Sequence, residues 1–137
     1  MSVRSFFDTN VLVYTDDKSA LRKHRRALEL VAEHRKAGSG VLSLQVLQEY
    51  FVTITRKLQV DAQVARRKVE LLAELHVAAP EISDVLAAID LHRIHGFSFW
   101  DALILRAAQQ TGCRVLLTED LQHGRVVDGV QVINPFL

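Results

Sequence analysis

Four carboxylates are the strongest candidates for chemistry in this sequence: Asp8, Glu49, Asp101 and Asp120. Asp8 directly follows Val3–Phe7, a run rich in Val and Phe that predicts a buried strand. Asp120 lies three residues beyond Arg114–Leu117, which predicts a second buried strand. If both strands are parallel and central, the two carboxylates project from the same sheet edge, where ligands bind in open α/β folds.

A cluster of carboxylates indicates a hard cation. Two of them about 5 Å apart repel by about 3 kcal/mol at an effective dielectric of about 20. Three or four in one cleft therefore need a cation or raised pKa values. Oxygen ligands without Cys or His suit Mg²⁺ or Mn²⁺, and such ions bind phosphates and activate water for in-line attack on a phosphodiester.

Two of these residues also have plain structural interpretations. Asp8, like Thr9 and Asn10 after it, is a good helix N-cap. Ser98-x-x-Asp101 is close to a capping box, with Asp in place of Glu or Gln. Asp101 also borders an apolar helix face, where a half-buried carboxylate requires a partner or a cation. That face is predicted to consist of Trp100, Ile104 and Ala108.

Glu49 lies on the polar face of a predicted helix over 44–58. This face also carries Gln45, Thr53 and Arg56. The opposite, apolar stripe is predicted to consist of Leu44, Leu47, Phe51, Ile54 and Leu58. Such a polar face is either solvated or the wall of a cleft, and periodicity does not decide between the two.

The elements that position these residues alternate along the chain. Strands are predicted at 3–7, 41–42, 76–78, 114–117 and 130–133. Helices are predicted at 20–37, 44–58, 61–75, 80–95 and 99–111. Ser43, Asp61 and Ser98 are the predicted caps of the second, third and fifth of these helices, and Gly38 and Gly96 are predicted to end the first and the fourth. The apolar positions of the first of these helices are Leu21, Leu28, Val31 and Ala32. This alternation predicts an α/β fold with a parallel sheet, helices on both faces and one domain over 1–137.

Charge is unevenly distributed although the net charge is only +1. Residues 18–68 carry 12 Lys or Arg against 4 Asp or Glu, whereas residues 69–137 carry 4 against 9. The pattern indicates a basic surface beside an acidic centre. Cys113 is the only cysteine, which excludes an internal disulfide, and no apolar run reaches a membrane span. The N-terminus has no signal-peptide apolar region, and a cytoplasmic location is expected.

The histidines offer no rival site. His92 and His95 share a helix face without an HExxH pattern, and His123 is expected to serve a turn beside Gly124. No Gly-rich phosphate loop is present, and no Ser-His-Asp order stands out.

Four segments in order resemble the PIN-domain nucleases, and the VapC-like toxins of bacterial type II toxin–antitoxin pairs in particular. They are Asp8–Leu12, the helix bearing Gln48-Glu49, Phe97–Ile104 and Leu116–Asp120. Each segment is a weak signal alone, but the ordered set is specific and spans essentially the whole chain.

The resemblance implies a five-stranded parallel sheet and a Mg²⁺- or Mn²⁺-dependent ribonuclease that cleaves RNA through a metal-activated water. Residue by residue, it assigns the acidic quartet to Asp8, Glu49, Asp101 and Asp120. Asn10 and Thr118 match the polar helpers of the family. The adjacent Glu119 leaves the fourth position open between two carboxylates. The resemblance further implies a homodimer and a cognate antitoxin that blocks the cleft. The basic helices at 20–37 and 61–75 then become candidates to guide RNA through phosphate contacts.

Three other classes of protein are alternatives to a nuclease. A receiver-like signalling domain needs a Lys late in the chain, and no Lys lies beyond Lys68. A haloacid-dehalogenase-type phosphatase needs a second Asp where Asn10 stands. A catalytically silent PIN-like binding or scaffold module is the remaining alternative, and the intact quartet argues against it.

Overall fold

The computed structural model describes residues 3–137 as one mixed sheet packed with helices. Met1 and Ser2, which the predicted domain includes, lie outside the described residues. The strands, in chain order, are β1 (Ser5–Phe7), β2 (Gly40–Ser43), β3 (His76–Ala78), β4 (Val115–Leu117), β5 (Val126–Val127) and β6 (Val130–Ile133). The helices are α1 (Thr9–Tyr14), α2 (Leu21–Ala37), α3 (Leu44–Arg56), α4 (Ala62–Leu72), α5 (Ile82–His95) and α6 (Phe99–Gln110).

The strand order is β3-β2-β1-β4-β6-β5, and every neighbouring pair except β5–β6 is parallel. The α/β prediction with helices flanking a parallel sheet is therefore confirmed. The expected count of five strands is wrong, because Val126–Val127 folds back antiparallel on β6. Asp128 and Gly129 form the connecting turn with φ values of 45° and 87°, as a two-residue hairpin loop requires.

β1 and β4 lie side by side at the centre of the sheet, with Phe7 opposite Leu117. Phe6, Phe7 and Leu116 are completely buried, so these strands carry no polar alternation. Since the two strands are parallel, the residues that follow them meet at one edge of the sheet. This places Asp8 and the segment 118–120 together.

The predicted helix ends are mostly confirmed by capping contacts. The Ser43 hydroxyl accepts a hydrogen bond from the Val46 amide, and the Asp61 carboxylate accepts one from the Gln63 amide. Gly38 and Gly96 end α2 and α5 in the left-handed conformation. Pro80, predicted in the first turn of α5, precedes that helix instead.

Two predicted apolar faces are wrong in part. On α2 the buried residues are Ala27, Leu30 and His34, while Leu21 and Leu28 are exposed. Because α2 and α3 each carry more apolar residues than the rest of the fold covers, periodicity alone does not identify which face of these helices is buried. On α3 the buried residues are Val46, Leu47, Tyr50 and Ile54, whereas the predicted Leu44 is exposed and Phe51 only half-buried.

His34 and Cys113 are structural parts of the core. The His34 ring shares a hydrogen bond of 2.7 Å with the Ser39 hydroxyl and packs edge-on against Phe7. Cys113 is a free, buried thiol where the chain passes from α6 into β4. Among the described residues, no helix is both long and apolar enough to cross a membrane.

Candidate active site

Asp8 connects the ends of the two central strands. Its amide donates to the carbonyl of Leu117 at 3.0 Å, and its carboxylate accepts from the Thr9 amide at 2.7 Å as the N-cap of α1. The same carboxylate accepts from the Thr118 hydroxyl at 2.9 Å. The predicted cap is therefore confirmed, and one carboxylate both begins the helix and lies at the sheet edge.

Asn10 and Thr118 bring Asp120 to Asp8. The Asn10 side-chain amide donates to Asp120 Oδ2 at 3.0 Å and to Thr118 Oγ1 at 3.1 Å, and it lies 3.4 Å from Asp8 Oδ2. The Asp120 amide donates to the same Thr118 hydroxyl. Thr118 is completely buried, so this network fixes the spacing between the two carboxylates.

Glu119 is directed away from this network. Its carboxylate accepts from the Tyr14 hydroxyl at 2.6 Å and pairs with the Lys23 ammonium at 2.8 Å. Burial raises the pKa of Glu119, but the Lys23 and Tyr14 contacts outweigh it and hold the pKa below its usual value. Of the two adjacent acidic residues, Asp120 is therefore the one connected to Asp8.

Glu49 reaches the site from α3. Its Oε1 accepts from the Thr9 hydroxyl at 2.6 Å, and its Oε2 accepts from the Gln45 amide at 3.3 Å. Gln45, Glu49 and Thr53 all line the same cleft, together with Lys57 one turn further on. The polar face of α3 is thus a cleft wall, while Arg56, predicted on that face, is not among the lining residues.

Asp101 lies in the first turn of α6. Its amide donates to the Ser98 hydroxyl at 3.1 Å, so Ser98 is the N-cap as predicted, and the half-buried Asp101 lines the cleft. Ile104 and Ala108 are buried as expected. Trp100 is not part of that apolar face, because it is 62% exposed and lines the cleft instead.

These side chains surround a cleft of about 500 Å³ at the carboxyl ends of β1 and β4. Within the described part of the chain, six carboxylates line it against one ammonium group, that of Lys57. The acidic lining residues are Asp8, Asp17, Glu49, Asp101, Glu119 and Asp120. The acidic centre predicted from the charge distribution is therefore this cleft.

Among the carboxylates of the cleft, Asp8 is the one whose pKa is shifted most by its surroundings. Burial first, and the negative charges of Asp120 and Glu49 to a smaller extent, raise its pKa from 3.8 to about 6, although hydrogen bonds from Thr118 and Thr9 lower it. A buried carboxylate that faces two others is stabilised as the anion by a cation, which would reverse these effects.

The donor set fits a hard divalent cation. All four candidate side chains supply carboxylate oxygens, the ligands that Mg²⁺ prefers. Across residues 3–137, no three His, Cys, Asp or Glu side chains are grouped closely enough to hold a metal ion by themselves. This arrangement is compatible with Mg²⁺, which is usually held by one or two carboxylates and keeps several waters.

Sequence reasoning missed several residues of the cleft, among them Asp17 and Trp100 as well as Thr9 and Lys57. The sequence indicates Thr9 as a good N-cap residue, yet in the structure its hydroxyl connects α1 to Glu49. Lys57 follows Gln45, Glu49 and Thr53 at the same four-residue spacing, so continuing the helical face by one turn would have found it. His123 serves its turn as predicted, because its Nδ1 accepts from the Asn134 amide at 2.9 Å.

Two solved structures resemble this chain in fold. The Mycobacterium tuberculosis toxin VapC20, described as cleaving the sarcin–ricin loop, matches with a TM-score of 0.70 and 22% identity over 85% of this chain and 91% of its own. A toxin–antitoxin complex from Klebsiella pneumoniae matches with a TM-score of 0.69 and 20% identity over 96% and 97%. No curated protein sequence matches at a significant level.

The family comparison covers nearly the whole chain. The PIN domain model matches residues 5–128, which include all four candidate carboxylates as well as Asn10 and Thr118. The receiver-like and phosphatase alternatives are therefore set aside, and the chain belongs to the PIN domain family.

Proposed function

We propose that this protein is a metal-dependent endoribonuclease, the toxin of a toxin–antitoxin pair, that hydrolyses RNA phosphodiester bonds. The observation that carries the proposal is the hydrogen-bonded approach of Asp120 to Asp8 in a cleft that Glu49 and Asp101 also line. Membership in the PIN domain family and the fold likeness to two toxin–antitoxin structures support the same conclusion.

In this proposal the four carboxylates, with Asp120 rather than Glu119 in the fourth place, bind the metal ion together, one or two of them directly and the others through its coordinated waters. Bound Mg²⁺ or Mn²⁺ would neutralise phosphate charge and lower the pKa of a coordinated water. Asn10 and Thr118 orient Asp8 and Asp120 through the hydrogen bonds they donate. The Thr9 hydroxyl and the Gln45 amide hold Glu49 toward the cleft in the same way.

The partners follow from this activity. RNA is the substrate, and a cognate antitoxin is expected to cover the cleft. We also propose a homodimer, supported by large apolar side chains that α5 leaves exposed at Ile82, Leu86 and Ile94. The basic helices α2 and α4 are proposed to guide RNA through phosphate contacts. A cytoplasmic location is consistent with an RNA substrate and a single free thiol.

The first test is cleavage of total RNA by the purified protein with Mn²⁺ or Mg²⁺. We expect EDTA to stop cleavage, and we expect Asp8→Ala, Asp101→Ala and Asp120→Asn each to reduce it by at least about 100-fold while circular dichroism stays unchanged. The matched control is Glu119→Gln, which removes an adjacent negative charge already paired with Lys23.

Three results would contradict this assignment. Full activity of Asp8→Ala and Asp101→Ala would rule out the metal site. A greater loss from Glu119→Gln than from Asp120→Asn would move the fourth position to Glu119. Wild-type protein that binds RNA without cleaving it under any divalent metal would favour the silent binding module.

A further inference from the structure

We propose that Trp100 is a stacking platform for an unpaired RNA base beside the carboxylates. This inference rests on the proposed function in its choice of ligand, because it names how RNA is held next to the scissile bond. Trp100 lines the same cleft as Asp8, Asp120 and Glu49, and it directly precedes Asp101 in the chain.

The exposure of the indole is the first observation. Trp100 is the only tryptophan of the protein and is 62% exposed, although burial of so large an apolar surface is normally strongly favourable. Its position in the first turn of α6 allowed burial, since Ile104 on the same helix is buried. The ring instead lies at the wall of a concave acidic site, where an exposed aromatic surface indicates binding.

The ring is also held in place, as a binding platform requires. The Phe99 ring packs edge to face against it, with centroids 5.1 Å apart and an interplanar angle of 74°, so Phe99 supports the indole without forming a parallel stack. The Trp100 carbonyl accepts from the Gln45 amide at 3.4 Å, which connects α6 to α3 across the cleft. An ordered platform loses little conformational entropy when a ligand stacks on it.

The surroundings favour a nucleobase over an apolar segment of a protein. Gln45, Thr53 and Asn10 line the cleft with amide and hydroxyl groups that suit the polar edges of a base. A protein partner has a better apolar surface elsewhere, in the groove between α3 and α4. That groove is lined mainly by Leu44, Leu47, Phe51, Ala62 and Val69.

The size of the cleft limits what the platform holds. A volume of about 500 Å³ is of the size that holds small ligands, so it suits one or two nucleotides rather than a duplex. Bases in an A-form helix are stacked on one another, whereas bases in single-stranded loops are free to stack on aromatic side chains. The proposal therefore restricts the substrate to an unpaired nucleotide next to the cleaved bond.

The test uses the single tryptophan as its own probe. In saturating Mn²⁺, which reduces the repulsion between the acidic cleft and phosphates, single-stranded RNA of mixed sequence, about ten nucleotides long, is titrated into the Asp8→Asn variant, in which cleavage is prevented. We expect quenching of Trp100 fluorescence on binding. By anisotropy of labelled RNA, Trp100→Ala in this background should bind about 5- to 150-fold more weakly, whereas Trp100→Phe should keep most of the affinity. Val126→Ala, an apolar truncation on the edge strand β5 at a residue that is also 62% exposed and lies outside the cleft, is the matched control.

Turnover gives a second readout that a purely structural role would not produce. In the cleavage-competent protein, Trp100→Ala should raise KM with kcat largely retained, and Trp100→Phe should restore KM. Removal of one base at a time from the RNA should identify a single position whose loss abolishes the quenching.

The outcomes separate this inference from the proposed function. RNA cleavage with unchanged KM in Trp100→Ala would overturn the stacking platform while the nuclease assignment stands. Quenching by RNA without cleavage by the wild-type protein would overturn the nuclease and keep the platform. RNA binding without any change in Trp100 fluorescence, or a change produced only by a co-expressed partner protein, would overturn the platform.

Discussion

At the scale of single residues, Asp8 combines two roles that oppose each other. Its carboxylate caps α1 and accepts from Thr118, and only 6% of the residue is exposed. Burial together with the charges of Asp120 and Glu49 raises its pKa to about 6. Above that pH, ionised Asp8 reduces the stability of the metal-free fold, because the protonated carboxyl group is the form that burial favours.

Substitution of Asp8 by Asn should therefore stabilise the metal-free protein. The raised pKa corresponds to at most about 3 kcal/mol at neutral pH. We expect a gain of about 1–3 kcal/mol and a melting temperature about 3–10 °C higher in EDTA. Added Mn²⁺ should raise the melting temperature of the wild type by more than that of Asp8→Asn, because the variant keeps three of the four carboxylates.

Asp17→Asn is the matched control for this measurement. Asp17 also lines the cleft, but its carboxylate accepts hydrogen bonds from the amide and the hydroxyl of the exposed Ser19. Its substitution should change the melting temperature little in EDTA. A metal-free Asp8→Asn less stable than the wild type would mean that the capping role outweighs the charge.

At the scale of elements, α5 and α6 are connected by a buried ion pair. The Asp84 carboxylate accepts from the Arg106 guanidinium on α6 at 2.9 Å and from the Glu81 amide at the start of α5, also at 2.9 Å. The Glu81 contact first, and the Arg106 charge after it, hold the pKa of Asp84 below its usual value of 3.8. This connection supports the helix on which Trp100 and Asp101 lie.

Asp84→Ala should lower the free energy of unfolding at neutral pH by about 1–3 kcal/mol, because two hydrogen bonds are lost. A lowered pKa gives stability that is present above pH 3.8 and is lost as the pH falls through the folded value. The difference from the wild type should therefore shrink toward about pH 2 in urea titrations.

The exposed pair of Asp90 and Arg93 on the same helix provides the control. Its side chains are 62% and 68% exposed, so Asp90→Ala should cost less than about 0.5 kcal/mol at any pH. An Asp84→Ala effect that stays constant down to about pH 2 would contradict the ion-pair explanation.

A second cluster connects three helices behind the cleft. Asp16, after the end of α1, accepts from the Tyr50 hydroxyl of α3 and pairs with the Lys68 ammonium of α4 at 2.8 Å. Burial and the Asp16 carboxylate raise the pKa of Tyr50, so this hydroxyl stays a donor at physiological pH. Of the three consecutive basic residues of α4, Arg66, Arg67 and Lys68, the last therefore has a structural role.

At the scale of the whole molecule, the charges are separated between the cleft and the helices around it. The acidic cleft repels phosphates unless a cation is bound, and Lys57 is the one positive side chain among its described lining residues. On α4, Arg66 and Arg67 both pair with the exposed Glu70. Lys57 is therefore the first residue to test for a phosphate contact close to the site.

Lys57→Met should weaken binding of single-stranded RNA and reduce its salt dependence. For one phosphate contact, the slope of log K against log salt concentration should fall by about 0.7. Filter binding over a series of KCl concentrations, in the Asp8→Asn background, measures this slope.

Arg114→Met is the control, since the exposed Arg114 is on neither α2 nor α4 and directly precedes β4, at the amino ends of the strands and opposite the cleft. The slope of log K against log salt concentration for this control should equal that of the Asp8→Asn protein without a further substitution. An unchanged slope in Lys57→Met would remove this residue from the RNA path.

The sequence by itself determined the α/β alternation, the helix caps at Asp8, Ser43, Asp61 and Ser98, and four carboxylates as candidates. These features depend on local hydrogen bonding and on the period of apolar residues, which are written in neighbouring positions. The additional strand, β5, was missed because a strand of two residues is too short for any pattern to be recognised.

Tertiary structure alone decided which groups meet. Glu49 became part of a cleft wall because α3 packs beside α1, where Thr9 donates to it. Asp120 rather than Glu119 joins Asp8 because Lys23 on α2 holds the Glu119 carboxylate. Trp100 lines the cleft because the start of α6 lies beside α3, where the Gln45 side-chain amide donates to the Trp100 carbonyl. Each of these choices depends on contacts between residues far apart in the chain, which periodicity within one helix does not encode.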